Sequence, residues 1–321
     1  MKDFALIGVA GFIAPKHLIA IKNTGNNLVA AFDKVDSVGI LDSYFPETNF
    51  FVEYERFDRH IEKLTRNGKP IDYLSVCSPN YLHDSHIRFG LRNGATVICE
   101  KPLVLNPWNV EALEKIQNET GKNVLTILQL RHHPDIIRLK EMVLKSDPHK
   151  IFDIDLTYIT ARGKWYYTSW KSNISKSGGI ATNIGIHFFD MLIWIFGKVI
   201  QNVVHLHTHD RAAGFLQMER ARVRWFLSID ENTLPGNLKE EGRRTYRSMK
   251  IENNEIVIKD NYTNLHTKSY DEIISGNGFS LIDVLPSIEL VHSIRTQPAI
   301  GIKGEYHPYA SFPLTQHPFV V

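Results

Sequence analysis

The fold is decided by residues 4–14, which read FALIGVAGFIA. Residues 4–8 are apolar and end in glycine, which is typical of a strand buried on both faces of a parallel sheet. Residues 9–14 predict a turn, and residues 15–23 predict a helix. A glycine turn between a first strand and a first helix suits a pyrophosphate bound by backbone N–H groups at a helix N-terminus. The spacing is G-x-x-G-x-x-A rather than G-x-G-x-x-G, and many tight turns share it.

Strands and helices continue to alternate after this first unit of structure. The alternation predicts a doubly wound parallel sheet of the Rossmann type. Predicted strands cover residues 27–32, 73–77, 96–99 and 124–129, and predicted helices cover residues 57–64, 83–93 and 107–120.

The pattern changes after about residue 150 to a period of two, which predicts strands with one buried and one exposed face. The predicted fold class is therefore α/β, with an α+β second domain built on an open, mainly antiparallel sheet. We place a dinucleotide-binding Rossmann domain at residues 1–125 and a domain for substrate binding and oligomerisation at residues 126–321. The period-two segments are residues 151–158, 203–208, 221–229 and 246–259.

The composition is that of an ordinary globular protein: 321 residues, 43% hydrophobic and 22% charged, with a net charge of +2. This charge favours neither nucleic acid nor a polyanionic partner. Cys77 and Cys99 lie in apolar strands and are predicted to be reduced core thiols of a cytoplasmic protein. We expect no signal peptide at the N-terminus. We also expect no membrane span, because the apolar stretch 184–196 is short and interrupted by His187 and Asp190.

Asp33 follows the second predicted strand, where an acid can hydrogen-bond the 2′-hydroxyl of a ribose. Its charge would repel a 2′-phosphate, so the sequence favours NAD over NADP, with Lys34 as a mild counter-argument. The alternative is that Asp33 is only a turn residue at a strand end. The order of strand, glycine turn, helix, strand and acid favours dinucleotide binding.

Two further strand ends carry polar motifs, Ser78-Pro79-Asn80-x-x-His83 and Glu100-Lys101-Pro102. A lysine at the end of a parallel strand faces the crevice where such sheets bind ligands, and it can serve chemistry on a sugar or carbonyl. The Lys101–Pro102 bond is a candidate for the cis form, which only X-Pro bonds adopt at modest cost. The alternative is a surface turn with a solvated lysine.

These motifs resemble those of the Gfo/Idh/MocA oxidoreductases. The glycine turn, the loop at 78–83, Glu100-Lys101-Pro102 and residues 178–190, GGIATNIGIHFFD, carry the resemblance. The family often has G-G-G-x-x-x-D-x-G-x-H-x-x-D in the last segment. Further strings resemble the WlbA/WbpB-type members, UDP-N-acetyl-2-amino-2-deoxyglucuronate 3-dehydrogenases; they lie at residues 11–17, 36–47, 129–134, 162–166, 265–270 and 304–309.

The resemblance implies tightly held NAD and oxidation of a sugar hydroxyl at C3, in nucleotide-sugar biosynthesis for lipopolysaccharide O-antigen. It implies that Lys101 and His187 are the catalytic pair, with Asn183 standing where many members have Asp. The alternative for His187 is a core histidine on an apolar helix. The resemblance also implies 2-oxoglutarate as a co-oxidant and a homodimer or homotetramer.

The binding residues are assigned in two groups. Arginine and lysine suit the diphosphate and carboxylate of a UDP-sugar acid, and aromatic side chains can stack on uracil, or else form only a core patch. Cofactor contacts are assigned to Gly8, Gly11, Phe12, Ile13, Asp33, Ser78, Pro79, Asn80, His83, Glu100, Lys101, Gln129 and Trp170. Substrate contacts are assigned to Lys101, Arg131, Lys164, Tyr166, Asn183 and His187.

We predict no metal site. His132 and His133 lack further ligands at metal spacing, and the alternating His205, His207 and His209 favour a solvated strand face. Two other functions remain open on the same fold. One is an NAD-dependent dehydrogenase of a free sugar or inositol, and the other is a non-catalytic NAD-binding sensor.

Overall fold

The computed structural model describes residues 1–252, 254–256 and 264–319. The chain forms two compact units. The first comprises Met1–His132 and Tyr262–Leu285, and the second comprises His133–Asn261 and Pro286–Val321, in each case apart from the residues outside this description.

The first unit contains a six-stranded parallel sheet in the order β3-β2-β1-β4-β5-β6. The apolar residues of the opening stretch form β1 at its centre, where Phe4, Leu6 and Ile7 are buried because helices cover both faces of such a sheet. The order reverses between β1 and β4, and parallel sheets bind ligands beside such a reversal. The strands are β1 (Asp3–Ile7), β2 (Asn27–Phe32), β3 (Asn49–Phe51), β4 (Tyr73–Val76), β5 (Thr96–Cys99) and β6 (Val124–Thr126).

The helices of the first unit follow the strands in alternation, as predicted. The short α2 and β3 were missed because too few residues carry their pattern. The helices are α1 (Ala14–Asn23), α2 (Ile40–Tyr44), α3 (Tyr54–Arg66), α4 (His83–Arg92) and α5 (Pro107–Thr120). Residues 127–129, predicted to extend the last strand, instead lead into a 3₁₀ turn at Gln129–His132.

The second unit contains a six-stranded sheet in the order β12-β11-β7-β10-β9-β8. All its neighbouring strands pair antiparallel except β10 and β7, which are parallel. The mainly antiparallel character predicted from the period of two is therefore confirmed. The strands are β7 (Phe152–Thr160), β8 (Val199–His207), β9 (Arg211–Met218), β10 (Ala221–Ser228), β11 (Thr245–Ile251) and β12 (Asn254–Ile256).

The helices of the second unit include the apolar run Ile174–Phe196. It is long and apolar enough to cross a membrane by composition alone, but 78% of its most apolar window is buried inside the protein. We expected the apolar stretch to be too short to span a membrane, and this expectation was wrong as to length. The helical run is longer than predicted because residues 174–185 are also helical for most of their course. The helices are α6 (Pro134–Lys145), α7 (Trp165–Thr168), α8 (Ile174–Ser177), α9 (Ile186–Phe196) and α10 (Gly236–Glu240).

The chain returns to the first unit after the second sheet. This segment contains α11 (Leu265–Ile274) and the beginning of α12 (Leu281–Thr296), and the division between the units falls at Pro286. Thr126 at the end of β6 forms a β-bridge with Phe279 of the returning segment. The observed units thus differ from the predicted boundary at residue 125, because the pairing of β6 with a distant segment leaves no local pattern.

Two other predictions differ from the structure. The single strand predicted over residues 246–259 is a hairpin of β11 and β12, and residues 257–259 lie outside the described residues. His205 is not on a solvated face: its side chain is 2% exposed, because β8 has a register shift between Val204 and Leu206 that breaks the alternation.

Candidate active site

The glycine turn brings β1 against the end of β4. Gly8 has φ of 91°, and a Cβ atom there would lie 2.6 Å from the carbonyl carbon of Cys77. Only glycine fits this approach. The N–H of Gly11 donates to the carbonyl of Gly8 at 3.0 Å, and α1 begins three residues later. Backbone groups of the turn therefore lie at the N-terminus of a helix, where phosphate is favoured.

A cavity of 410 Å³ opens beside this turn within the first unit. Such a volume suits one portion of a large organic ligand. Five predicted cofactor residues line it, namely Gly8, Gly11, Asp33, Ser78 and Pro79. Of the other predicted contacts near the turn, Phe12, Ile13, Asn80 and His83 are outside the lining, and the Phe12 side chain is 99% exposed.

The carboxylate of Asp33 is held in place at this cavity. Its Oδ2 accepts the N–H of Ala10 at 3.0 Å, and its Oδ1 accepts the N–H of Val35 at 3.1 Å. Each oxygen retains a lone pair, so the carboxylate can still accept from a ribose hydroxyl. Lys34, whose positive charge is the argument for NADP rather than NAD, also lines the cavity.

The cavity also has an aromatic wall, and its residues were missed from the sequence. The rings of Tyr54 and His86 stack with centroids 5.6 Å apart, and both line the cavity. Burial lowers the pKa of His86 to about 4, so this ring is neutral near pH 7. Its Nδ1 lies 2.8 Å from the Ser78 hydroxyl. The only sequence signal was position, since His86 lies one helical turn after His83 on α4.

His83 joins two loops instead of lining the cavity. Its ring nitrogens lie 2.8 Å from the carbonyl oxygens of Ser78 and Pro102, so the side chain connects the β4 and β5 ends. The Lys101–Pro102 bond is cis, as predicted. Lys101 itself is half-buried, and its N–H donates to the Glu100 carboxylate at 3.2 Å.

Two residues of the 3₁₀ turn after β6 were assigned to ligand binding. Gln129 Oε1 is buried and has no hydrogen-bond partner within the described ranges, so it is an acceptor available to a ligand. Arg131 is buried against the returning segment. Its guanidinium donates to the carbonyl of Asp283 at 2.9 Å and lies 4.9 Å from the Phe279 ring centroid.

The second unit brings Tyr166 and Asn183 together. The Asn183 amide donates to the buried Tyr166 hydroxyl at 3.4 Å, and burial raises the pKa of that phenol. Asn183 lies in a π-helical turn, Ala181–Gly185, a feature that often occurs at functional sites. His187 follows at the start of α9, where its half-buried ring lies 5.9 Å from the Tyr158 ring.

The remaining substrate and cofactor candidates of this unit flank Tyr166. Lys164 is exposed immediately before α7. Trp170 carries the Lys171 ammonium over its ring at 4.2 Å. Lys171 and Tyr166 also line a cavity of 280 Å³ together with Gly179, His207 and His209. Positive φ angles of 82° and 81° at Gly178 and Gly179 let the chain turn into the π-helical segment.

Comparison with known protein families finds a match in each of the two units. Residues 2–127 match the oxidoreductase family, NAD-binding Rossmann fold, and residues 147–243 match the oxidoreductase family, C-terminal alpha/beta domain. The chain belongs to the Gfo/Idh/MocA oxidoreductase family. The predicted family and enzyme class are therefore confirmed, and so is NAD as the cofactor of the first domain.

Two solved structures of one dehydrogenase are similar to nearly the whole chain. They are the WlbA (WbpB) dehydrogenase from Thermus thermophilus in complex with NAD and alpha-ketoglutarate, and the same dehydrogenase with NAD and UDP-GlcNAcA. Each is 46% identical and covers 96% of this chain and 100% of that chain. The TM-scores are 0.93 and 0.92.

Curated relatives of this Gfo/Idh/MocA chain are more distant. Inositol 2-dehydrogenase from Rhizobium meliloti is 27% identical over 198 residues, which is 61% of this chain and 55% of the relative. D-glucoside 3-dehydrogenase from Escherichia coli is 26% identical over 140 residues, which is 44% of this chain and 40% of the relative. The chain thus spans about half the length of these curated relatives.

Proposed function

We propose that the chain is an NAD-dependent dehydrogenase that oxidises the C3 hydroxyl of a UDP-N-acetylglucosaminuronic acid to the 3-keto sugar. The observation that carries this proposal is the 46% identity to a dehydrogenase solved with NAD and UDP-GlcNAcA, over that protein's full length. Because one fold supports many reactions, the proposal also depends on Lys101, Asn183 and His187, which provide the chemistry.

The residues of the first unit suit NAD. The turn at Gly8 and Gly11 would hold the pyrophosphate, and Asp33 would accept from the adenosine ribose. The neutral, aromatic wall of Tyr54 and His86 suits an adenine ring. The buried acceptor of Gln129 is available for a donor of the cofactor. When bound, NAD accepts the hydride that leaves the sugar carbon.

The protein must then remove a proton from the sugar hydroxyl. An imidazole titrates near neutrality, so His187 is the proposed general base. The Lys101 ammonium is assigned to polarise a substrate oxygen and to stabilise negative charge that develops on it. Asn183 cannot take a proton, and its bond to Tyr166 fits a role in orienting the sugar.

Recognition of the sugar acid is assigned to cationic and aromatic groups. Arg131 and Lys164 suit the carboxylate and diphosphate, and Tyr166 suits the sugar or uracil. The same cations would bind 2-oxoglutarate, the proposed co-oxidant, which is also a carboxylate. The T. thermophilus complex with alpha-ketoglutarate supports this part of the proposal. We further propose a cytoplasmic homodimer or homotetramer that acts in O-antigen biosynthesis.

The test is the absorption band of reduced nicotinamide in the purified protein supplied with NAD. UDP-GlcNAcA, myo-inositol and a methyl glucoside are added separately. We expect the band to rise only with UDP-GlcNAcA and to fall when 2-oxoglutarate follows. A rise confined to inositol or the glucoside would replace the proposed substrate with a free polyol or sugar. No rise with any of them would favour an NAD-binding sensor.

A further inference from the structure

Glu100 is an acid buried deep in the first unit. Its side chain is 8% exposed, and three nitrogen atoms lie at hydrogen-bond distance from the carboxylate. Oε1 lies 3.0 Å from Nε2 of His17 and 3.0 Å from Nε2 of His266, while Oε2 accepts the N–H of Lys101 at 3.2 Å. Burial acts to raise the pKa of Glu100, but the hydrogen bonds from the two histidines outweigh it and hold the pKa well below its usual range.

The hydrogen bonds continue from His17 into the core. His17 Nδ1 lies 2.7 Å from the Tyr270 hydroxyl, which lies 2.7 Å from the Ser75 hydroxyl. Burial lowers the pKa of His17, so its ring is neutral and carries one proton. A carboxylate can only accept, so that proton is on Nε2, and Nδ1 must accept from Tyr270. The phenol oxygen then accepts from Ser75, and every donor in the chain points toward Glu100.

These side chains come from four separate elements. Ser75 is on β4, Glu100 follows β5, and His17 is on α1. His266 and Tyr270 are on α11, which belongs to the returning segment. The His17 and His266 rings meet edge to face with centroids 5.2 Å apart. The returning segment thus supplies two members of the network: His266 contacts Glu100 directly, and Tyr270 contacts it through His17.

His17, Glu100 and His266 also form a set of donor atoms that could hold a metal ion, all within 4.8 Å of one another. A metal would need lone pairs from both Nε2 atoms. Both nitrogens instead lie at hydrogen-bond distance from one oxygen, and His17 has its acceptor nitrogen directed to Tyr270. This geometry favours a proton-ordered network over a metal site.

We propose that His17, His266 and Tyr270 are positioning residues for the dehydrogenase reaction. They hold Glu100 as a fixed carboxylate, and Glu100 fixes the peptide N–H of Lys101, so that the lysine is presented in one orientation. Part of this proposal rests on the proposed function, because it assigns the chemistry to Lys101. A small error in the placement of a reacting group lowers the catalytic rate strongly. The network therefore matters for kcat, because it fixes the position of Lys101.

The first experiment compares Tyr270→Phe with Tyr73→Phe. Both tyrosines pack on the Phe4 ring in the same core, but only Tyr270 belongs to the network. We expect Tyr270→Phe to lower kcat about tenfold or more relative to Tyr73→Phe, with KM and NAD affinity within about twofold. His266→Gln, which can still donate to Glu100, should retain more of kcat than His266→Leu. Equal kcat values for the two tyrosine variants would overturn the proposal.

The second experiment needs no turnover. Amide hydrogen exchange at Lys101 is followed by NMR in the same variants, with NAD bound and no sugar present. We expect faster exchange in Tyr270→Phe than in Tyr73→Phe, because Glu100 is then held less firmly. Unchanged exchange would overturn the positioning role, even if the sugar is oxidised. Faster exchange in a protein inactive on every sugar would support the positioning role and discard the proposed function.

Histidine ring ¹⁵N signals then separate the network from a metal site. We expect the His17 ring to show a protonated Nε2 and an unprotonated Nδ1 near neutral pH. One equivalent of zinc retained by the purified protein, with both Nε2 atoms of His17 and His266 bound to it, would overturn the proposal.

Discussion

Arg211 and Asp230 form a buried ion pair in the second unit, with 2.7 Å between Nη2 and Oδ2. The Arg211 guanidinium, 1% exposed, also binds Asp210 at 2.9 Å and donates to the carbonyl of Pro313 at 3.0 Å. A single buried cation thus compensates two carboxylates and fastens the C-terminal tail to the sheet. Removal of such a cation leaves buried charge uncompensated, which is more costly than the loss of an exposed ion pair.

Arg211→Leu should therefore lower the free energy of unfolding by about 3–5 kcal/mol at neutral pH. Arg222→Leu is the matched control. Arg222 lies on β10 of the same sheet and its guanidinium pairs with Glu305, but it is far more exposed, so its loss should cost less than about 1 kcal/mol. Urea denaturation of both variants provides the measurement. Similar costs for the two would show that the Arg211 network is not a stabilising feature.

Because the His307 ring is buried, we predict that the protein loses stability in acid. Its Nδ1 accepts the N–H of Tyr309 at 3.1 Å, its Nε2 lies 2.9 Å from the Thr157 hydroxyl, and burial lowers its pKa to about 4. Between the folded pKa and the unfolded value of about 6.5, the unfolded state binds more protons, so stability falls as pH falls.

Replacement of His307 by Asn removes this titration and keeps an acceptor for Tyr309. From neutral pH to about pH 5, the wild type should lose about 2 kcal/mol more stability than His307→Asn. His86, with the same direction of shift, remains in both proteins and cancels in the comparison. Parallel losses in urea titrations at the two pH values would contradict a neutral, buried His307.

The glycine turn predicts a selective effect on NAD. In Gly8→Ala the new Cβ would meet the Cys77 backbone and adopt a strained φ, so the turn must shift. We expect NAD affinity, measured by calorimetry, to fall about tenfold or more. Gly94→Ala is the control, because it also has positive φ but faces open space. An equal loss of NAD affinity in both would mean that the strain acts through stability alone.

The charge of Asp33 predicts the choice of dinucleotide. Asp33→Asn keeps an oxygen for one of the N–H groups of Ala10 and Val35 but removes the repulsion toward a 2′-phosphate. The ratio of NADP affinity to NAD affinity should rise about tenfold or more. Asp36→Asn changes an exposed acid outside the cavity lining and should leave this ratio unchanged. A constant ratio in Asp33→Asn would remove Asp33 from cofactor selection.

Substitution of Lys101 or His187 is expected to act mainly on kcat. Lys101→Met and His187→Gln should each lower kcat by about 10²–10⁴-fold, because each removes a group that we propose to handle the hydroxyl proton or its charge. NAD affinity of His187→Gln should stay within about twofold of the wild type, whereas Lys101→Met should also weaken NAD binding because Lys101 is assigned a cofactor contact. Lys115→Met on the exposed face of α5 serves as the control. Full activity in either catalytic variant would assign its role to another residue.

Much of the fold followed from local pattern. The strand, turn and helix of residues 4–23 were predictable because the apolar run and Gly8 dictate them without help from distant residues. The position of Asp33 beside the glycine turn was predictable for the same reason. By contrast, the β11–β12 hairpin and the buried His205 depend on a turn and a bulge within sequences that alternate without interruption.

The aromatic wall and the surroundings of Glu100 were not predictable from pattern. His86 and Tyr54 come from different helices, and His266 and Tyr270 come from a helix far along the chain. These side chains come into contact only through tertiary packing. Single residues of common types give no sequence pattern from which such contacts can be predicted. The sequence predicted the backbone turn and the cis Lys101–Pro102 bond, but not the side chains that surround Glu100.

The chain passes between its two units three times, so neither unit is one continuous gene segment. A chimera made by exchanging everything before residue 133 with a homologue would separate Glu100 from its own His266 and Tyr270. Recombination that keeps the network around Glu100 intact must transfer residues 1–132 and the returning segment together. The same constraint applies to natural sequence change, because Glu100 and Tyr270, the hydrogen-bond partners of His17, are encoded hundreds of nucleotides downstream.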